Sequence, residues 1–313
     1  MKAILHYRAS PGFREQIRRN APSWLDVVVV DEDDIATLSR NLRDADVLLH
    51  VLEPVTAEML CLAPQLKLIQ KIGVGVNTID LDACKARAIA VANMPGTNSQ
   101  AVAELALALL FATLRRIPLL DRAVRNGQGW SLGRETFDAS GEVAGKTVGL
   151  VGYGEVPRRL SPVLKALGAQ VIYSDLNKSD ASDGWRTLSE LLAESDIVSL
   201  HVPLTNETEH LIDSETIAKM KDGAVLINTA RGGLVDERAL ASALKSGKLR
   251  AAGLDVLETE PANKASPLLA LENIVTTPHI AWLTKETIER SLSVAFENCG
   301  RVREGENLLH RVA

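Results

Sequence analysis

Apolar and polar positions fall in blocks along this chain, and the blocks change period. Short apolar runs occur at "KAILHY" (2–7), "DVVVV" (26–30), "DVLLHV" (46–51), "LKLIQKIG" (66–73) and "IAVANM" (89–94). They predict strands, and the longer mixed stretches between them predict helices. That is the rhythm of βαβ units around a parallel sheet. At "NSQAVAELALALLFATLRRI" (98–117) the rhythm breaks. This stretch has no Gly or Pro and is apolar on most faces, which predicts one long buried helix. A second strand series follows at "KTVGLVGYG" (146–154), "AQVIYSD" (169–175), "DIVSLHVP" (196–203), "AVLINTA" (224–230), "AAGLDV" (251–256) and "NIVTTPH" (273–279). The last block, "TKETIERSLSVAFENCGRVREGE" (284–306), predicts an amphipathic helix. Two sheet-forming halves are expected, the second centred on the glycines at 152 and 154. No short repeat or low-complexity stretch interrupts them.

Composition narrows the class. A chain of 313 residues with 46% hydrophobic content has room for two soluble domains. The 35 basic and 40 acidic residues leave a net charge of −5, which argues against a nucleic-acid or membrane-surface binder. No apolar run approaches a membrane span. "MKAILHY" reads as a first strand rather than a signal peptide. Cys61, Cys84 and Cys299 form neither a zinc pattern nor a disulfide framework, so no metal is expected and a reducing cytoplasm is the simplest setting.

The chemistry begins at "GLVGYGEVPRRLSPVL" (149–164). In a dinucleotide-binding turn the first glycine permits a sharp strand-to-helix turn. The second lets the backbone approach the pyrophosphate, and the third lets the helix pack close to the strand. Gly152 and Gly154 supply the first two, and Pro157 stands at the third. Near a helix start a missing N–H costs little, but Pro162 falls in the helix interior, where proline costs about 3 kcal/mol. A helix kinked or shifted between Pro157 and Pro162 is expected. Asp175 ends the next strand, about twenty residues on, where a carboxylate would accept bonds from the adenosine ribose. No arginine follows in Leu176-Asn177-Lys178, so NAD is preferred over NADP. An ordinary strand-to-helix turn with Asp175 as a loop cap is the alternative.

Arg231, Glu260 and His279 all follow strand ends in this half, where open α/β sheets place their ligands. Their types suit hydride transfer at a 2-oxo acid. Histidine exchanges a proton with the carbonyl oxygen, a carboxylate fixes its tautomer, and arginine holds the acid group. Taken singly, each residue also reads as a surface charge or a loop residue. His6, His50, His201, His210 and His310 read as structural.

With these residues assembled, the chain resembles the D-2-hydroxyacid dehydrogenases from about Val47 almost to its end. The likeness lies in "KIGVGVNTID", "MPGTNSQAVAELALALL", "GKTVGLVGYG", "HVPLTNETEHLI", "LINTARGGLVDERAL", "AGLDVLETEP" and "TPHIAW". The resemblance implies an α/β fold of two Rossmann-like domains, each a doubly wound parallel sheet, with the active site in the cleft. The substrate domain would take residues 1–96 and 288–313, and the NAD domain 97–287. The resemblance makes Arg231 the substrate-orienting residue and Glu260 and His279 the acid/base pair. Val74, Gly75 and Asn77 would hold the substrate carboxylate, although a glycine turn alone would also explain them. Trp282 would wall the pocket, or else fill a core at the domain junction. On the cofactor side the resemblance implies Gly152, Tyr153, Gly154, Glu155 and Val156 on the turn, with Asp175 beyond it. His201, Val202, Pro203 and Thr208 would follow, then Thr229, Ala230, Arg231, Asp255 and His279. The segment 98–130 resembles the family's dimer element, which implies a homodimer acting on a small acid, without nucleic acid or membrane. Two other readings stay open: a non-catalytic NAD(H) sensor like the corepressor branch, and a member whose prolines impair cofactor binding.

Overall fold

The computed structural model describes residues 1–176 and 184–313. The chain forms two compact units, Met1–Asn98 with Trp282–Ala313, and Ser99–Ala281.

The first unit holds strands β1 (Lys2–His6), β2 (Asp26–Val30), β3 (Val47–His50), β4 (Leu68–Lys71) and β5 (Ala90–Ala92). Their order is β2-β1-β3-β4-β5, and the paired strands run parallel. Helices α1 (Pro11–Asn20), α2 (Ile35–Leu42), α3 (Ala57–Cys61) and α4 (Leu81–Ala86) lie between the strands. Each starts at a side-chain cap, from Ser10, Asp34, Thr56 and Asp80 respectively. A parallel sheet is covered on both faces, which is why β3 is apolar and buried along its length. Ile4, Leu48 and Ile69 pack with Leu38, Leu42 and Leu60 on one face. Leu5, Leu49 and Leu68 pack with Phe13 and Ile17 on the other.

The second unit opens with α5 (Ser99–Leu114), α6 (Ile117–Arg125) and α7 (Glu135–Asp138). The sequence pattern predicts one helix to residue 117, but α5 stops at Leu114. Arg116 turns left-handed at φ 53°, and Pro118, in the first turn of α6, cannot continue the earlier hydrogen-bond ladder. The next elements are β6 (Thr147–Val151), α8 (Glu155–Ala166), β7 (Gln170–Ser174), α9 (Leu188–Glu194) and β8 (Ile197–Leu200). They are followed by α10 (Ser214–Lys219), β9 (Ala224–Asn228), α11 (Glu237–Ser246), β10 (Leu249–Leu254) and β11 (Ile274–Thr276). The parallel sheet runs β11-β10-β9-β8-β6-β7. The order reverses at β6, so a crevice opens at its carboxyl end, where Gly152 and Gly154 lie.

Neither proline ends α8, which is continuous from Glu155 to Ala166. Pro157 is the third helical residue, where the backbone N–H has no partner within the helix. The Tyr153 carbonyl, four residues back, instead accepts a bond from Arg158 Nε at 3.1 Å. Pro162 removes one interior donor. Burial of Leu160 and Leu164 against Ala103, Ala106 and Leu110 of α5 opposes that cost. Each buried leucine contributes roughly 1.5–3 kcal/mol, the same order as the proline penalty.

Helix α12 (Lys285–Glu304) returns the chain to the first unit, with Ile288, Leu292 and Phe296 in its core. Asn298 Nδ2 donates to Gln70 Oε1 on β4 at 2.6 Å. The units divide at 98/99 and 281/282, against the expected 96/97 and 287/288. The second shift follows from Trp282, which packs edge-on against Tyr7 at 5.9 Å and carries residues 282–287 with the first unit. Among the described residues no helix is long and apolar enough to cross a membrane.

Candidate active site

The crevice at β6 is shaped by close backbone approach. Gly152 has φ 91°, and a Cβ there would come 2.8 Å from the His201 carbonyl oxygen. Nothing stands within 4 Å of where a Cβ on Gly154 would lie, and no side chain caps α8. The first N–H groups of this twelve-residue helix are thus left for a ligand, at the positive end of its dipole. Asp175 Oδ2 accepts a bond from Tyr153 N at 2.7 Å, so the carboxylate is drawn to the turn. The Tyr153 ring stacks on Tyr173 at 3.9 Å. At the end of β9 the buried Thr229 hydroxyl has no hydrogen-bond partner. Helix-start donors, a carboxylate beside them and an orphaned hydroxyl fit a dinucleotide. Asn177 and Lys178 lie outside the described residues.

Other expected cofactor residues have local partners. Glu155 faces Arg159 at 3.8 Å, and Val156 is half-buried. Val202 Cγ1 would lie 3.0 Å from a Cβ on Gly152. Thr208 Oγ1 donates to the Pro203 carbonyl and accepts from Thr205 N, which ties its hydroxyl into its own turn. His201 Nε2 meets Ser199 Oγ at 2.9 Å, and burial pushes the ring down to about 3, which keeps it neutral at ordinary pH.

The chemical residues meet across long sequence distances. His279 Nδ1 lies 2.6 Å from Glu260 Oε2. Glu260 Oε1 accepts from Leu257 N at 2.9 Å. Burial raises the Glu260 carboxyl. The His279 hydrogen bond and charge, the Leu257 amide and the Arg231 charge outweigh that and hold it below its ordinary value. Arg231 is itself largely enclosed. Burial lowers its affinity for the proton, the Glu260 charge opposes this, and a guanidinium stays charged regardless. Arg231 Nη1 donates to the Ala230 carbonyl at 2.7 Å, and Asn228 holds the turn through Ala230 N and the Arg231 carbonyl.

Asp255 is a brace for the His279 turn. Its oxygens accept from Thr277 Oγ1 at 2.6 Å, Ile280 N at 2.9 Å and Ala281 N at 2.9 Å. Burial raises this carboxyl above its ordinary value against those bonds. His279 stands at φ 54°, a left-handed conformation that a non-glycine residue keeps only where its surroundings impose it. Thr277 and the Leu257 amide were absent from the residues singled out by sequence, because a lone threonine and a main-chain N–H carry no pattern.

In the first unit, the loop after β4 carries Val74, Gly75 and Asn77. Gly73 turns at φ 139°, and Asn93 Nδ2 donates to the Val74 carbonyl at 2.9 Å. Trp282 is 8% exposed and lies in the core with Leu5, Phe13 and Leu292. Of its two expected places, the ring occupies the core.

Comparison with known proteins gives the family of this chain. The family model described as "D-isomer specific 2-hydroxyacid dehydrogenase, NAD binding domain" matches residues 107–281. The chain is 41% identical over 283 residues to a D-3-phosphoglycerate dehydrogenase of Mycobacterium tuberculosis, covering 88% of this chain and 53% of that protein. It is 38% identical over 287 residues to a glyoxylate reductase of Aeropyrum pernix, covering 88% and 86%. Its fold matches the TT0316 protein of Thermus thermophilus with a TM-score of 0.90 at 36% identity, over the full length of both chains. The chain spans about half the length of the phosphoglycerate dehydrogenases it matches.

Proposed function

This chain belongs to the D-isomer specific 2-hydroxyacid dehydrogenase family, with NAD as the cofactor of its second unit, and from that premise we propose that it interconverts a small D-2-hydroxy acid and its 2-oxo partner. The observation that carries this reading is the 2.6 Å contact of His279 Nδ1 with Glu260 Oε2, with the charge of the half-buried Arg231 acting on the same carboxylate. When bound, the cofactor would supply a hydride to C2 as NADH in reduction, or take it from C2 as NAD⁺ in oxidation. Because Glu260 engages Nδ1, Nε2 is the nitrogen that exchanges a proton with the substrate oxygen. In reduction His279 gives that proton, and in oxidation it takes it back. Glu260 keeps the ring oriented. Arg231 binds the substrate carboxylate and polarises the C2 oxygen. The substrates proposed are hydroxypyruvate, glyoxylate, phosphoglycerate and similar short acids. Asp175, followed by no arginine in Leu176-Asn177-Lys178, favours NAD over NADP.

A homodimer through residues 98–130 is part of this reading. What supports it is α6, which buries no residue of its own, with Ile117 at 51% and Val124 at 47% exposed and Trp130 beyond it at 88%. The free thiols Cys61, Cys84 and Cys299 suit a reducing cytoplasm.

The test is to titrate NADH and NADPH by fluorescence, then to follow NADH oxidation across a panel of 2-oxo acids. Tight NADH binding with turnover of at least one short acid is expected. Tight binding with no turnover would leave a redox sensor in its place, and no binding of either cofactor would end both readings.

A further inference from the structure

A second histidine–glutamate pair lies beside the first. His210 Nε2 makes a short contact with Glu258 Oε1, two residues before Glu260. Sequence alone marks His210 as a structural loop residue. Its surroundings join the two segments that carry the chemistry. Gly232, next to Arg231, lies so close to the 257–258 peptide that a Cβ would come 2.0 Å from Leu257 C and 2.5 Å from Glu258 N. His210 N donates to the Gly233 carbonyl at 2.8 Å, and Ile212 N to the Leu234 carbonyl at 2.9 Å. Glu258 N donates to Glu237 Oε1 at 2.8 Å, at the start of α11. A closed circuit results. It runs from Arg231 through Gly232 to the 257–258 peptide, through the Glu258 side chain to His210, and back to Gly233. Glu260 leaves the same short loop toward His279, tied by the Leu257 amide.

We propose that His210 is a positioning residue, which clamps Glu258 and so sets the spacing between Arg231 and the Glu260–His279 pair. This rests on the dehydrogenase reading above. His210 touches neither substrate nor cofactor in this role, and both members of the pair are partly exposed at the outer end of the circuit. The groups that act on His210 are Glu258, through its hydrogen bond and charge, and Asp236 and Glu209 through charge. All are acidic, and they raise its proton affinity. Glu237 adjoins through Glu258 N. The clamp is therefore an ion pair while His210 is protonated, and it loosens as pH rises through the raised His210 value.

Oxidation of the hydroxy acid separates this event from the chemistry of His279. There His279 must be unprotonated, so turnover climbs with pH, whereas loss of the clamp makes it fall again. The wild-type kcat profile should be a bell. His210→Gln keeps a hydrogen-bond donor that does not titrate, and should turn the bell into a plateau with near wild-type neutral activity. His210→Ala should lower kcat by about ten-fold at neutral pH, the scale of a small misplacement of reacting groups, and by less at high pH, where the wild-type clamp is lost as well. NADH affinity should stay unchanged. Hydrogen exchange at the Leu257 and Glu258 amides should speed up in His210→Ala, a readout that needs no turnover. Unchanged exchange at those amides, or an unchanged bell in His210→Gln, overturns the proposal. His279→Ala, run alongside, tests the dehydrogenase reading separately. If it abolishes turnover while both His210 variants behave as wild type, only the positioning role fails.

Discussion

Both parallel sheets carry histidines at or beyond their strand ends, in opposite company. In the first unit His6, His50 and Lys71 close β1, β3 and β4 side by side, His6 in register with His50 and His50 with Lys71. The His50 ring donates from Nε2 to the Glu53 carbonyl at 2.6 Å, but its Nδ1 and His6 Nε2 are buried without partners. Burial and the Lys71 charge push His50 down to about 3. In the second unit His279 and His210 each face a carboxylate. The residue type is the same, but burial beside Lys71 keeps His50 neutral, whereas Glu258 raises the proton affinity of His210. Position at a strand end does not set a histidine's proton affinity; burial and the charge within hydrogen-bond reach do.

Removing a histidine of the second group gives the sharpest break of this contrast. His279→Ala should lose about 10²–10⁴-fold in kcat with NADH affinity kept, as expected when a general acid is removed. A wild-type rate would remove His279 from its role. Glu260→Gln comes next. Without the negative charge the reduction rate should fall, measured by steady-state NADH oxidation. An unchanged rate would show that His279 works without the Glu260 charge.

His50 should answer in stability instead. Its folded value of about 3 lies below the ordinary 6.5, so the unfolded chain binds more protons between those limits. Its contribution is intact above about pH 6.5 and is lost as pH falls toward 3, at up to about 1.4 kcal/mol per pH unit. Thermal melts of wild type and His50→Gln across that window should show a shallower acid decline in the variant. His201 keeps its own share of the slope, since it is depressed in the same way. Equal slopes would mean that the row opens to water before it titrates. The smallest effect expected is on turnover: His50→Gln should leave kcat at neutral pH unchanged.

Local patterns were legible in the order of residues. Each strand predicted from an apolar run is present, because burial on both faces of a parallel sheet writes a continuous apolar word into the chain. Gly152 was legible because only glycine tolerates a carbonyl 2.8 Å from its Cβ position. Arg231, Glu260 and His279 stood out through their type and their place after strands. The early end of α5 carried one signal, Pro118 just beyond the 98–117 stretch, but the left-handed turn at Arg116 carried none. Nor were the leucines that hold α8 on α5 past Pro162 legible, since propensity weighs the lost hydrogen bond but not that packing.

Pairings lay beyond the one-dimensional record altogether. Asp255 meets Thr277 across 22 residues, and His210 meets Glu258 across 48. Nothing in either neighbourhood announces the other. A chain encodes its periodicities where they occur, so strands, helix starts and the glycine turn can be read in place. Which histidine receives a carboxylate, and which is shut beside a lysine, depends on the order in which strands lie in the sheet. That order is settled by packing, and with it the proton affinities on which the chemistry depends.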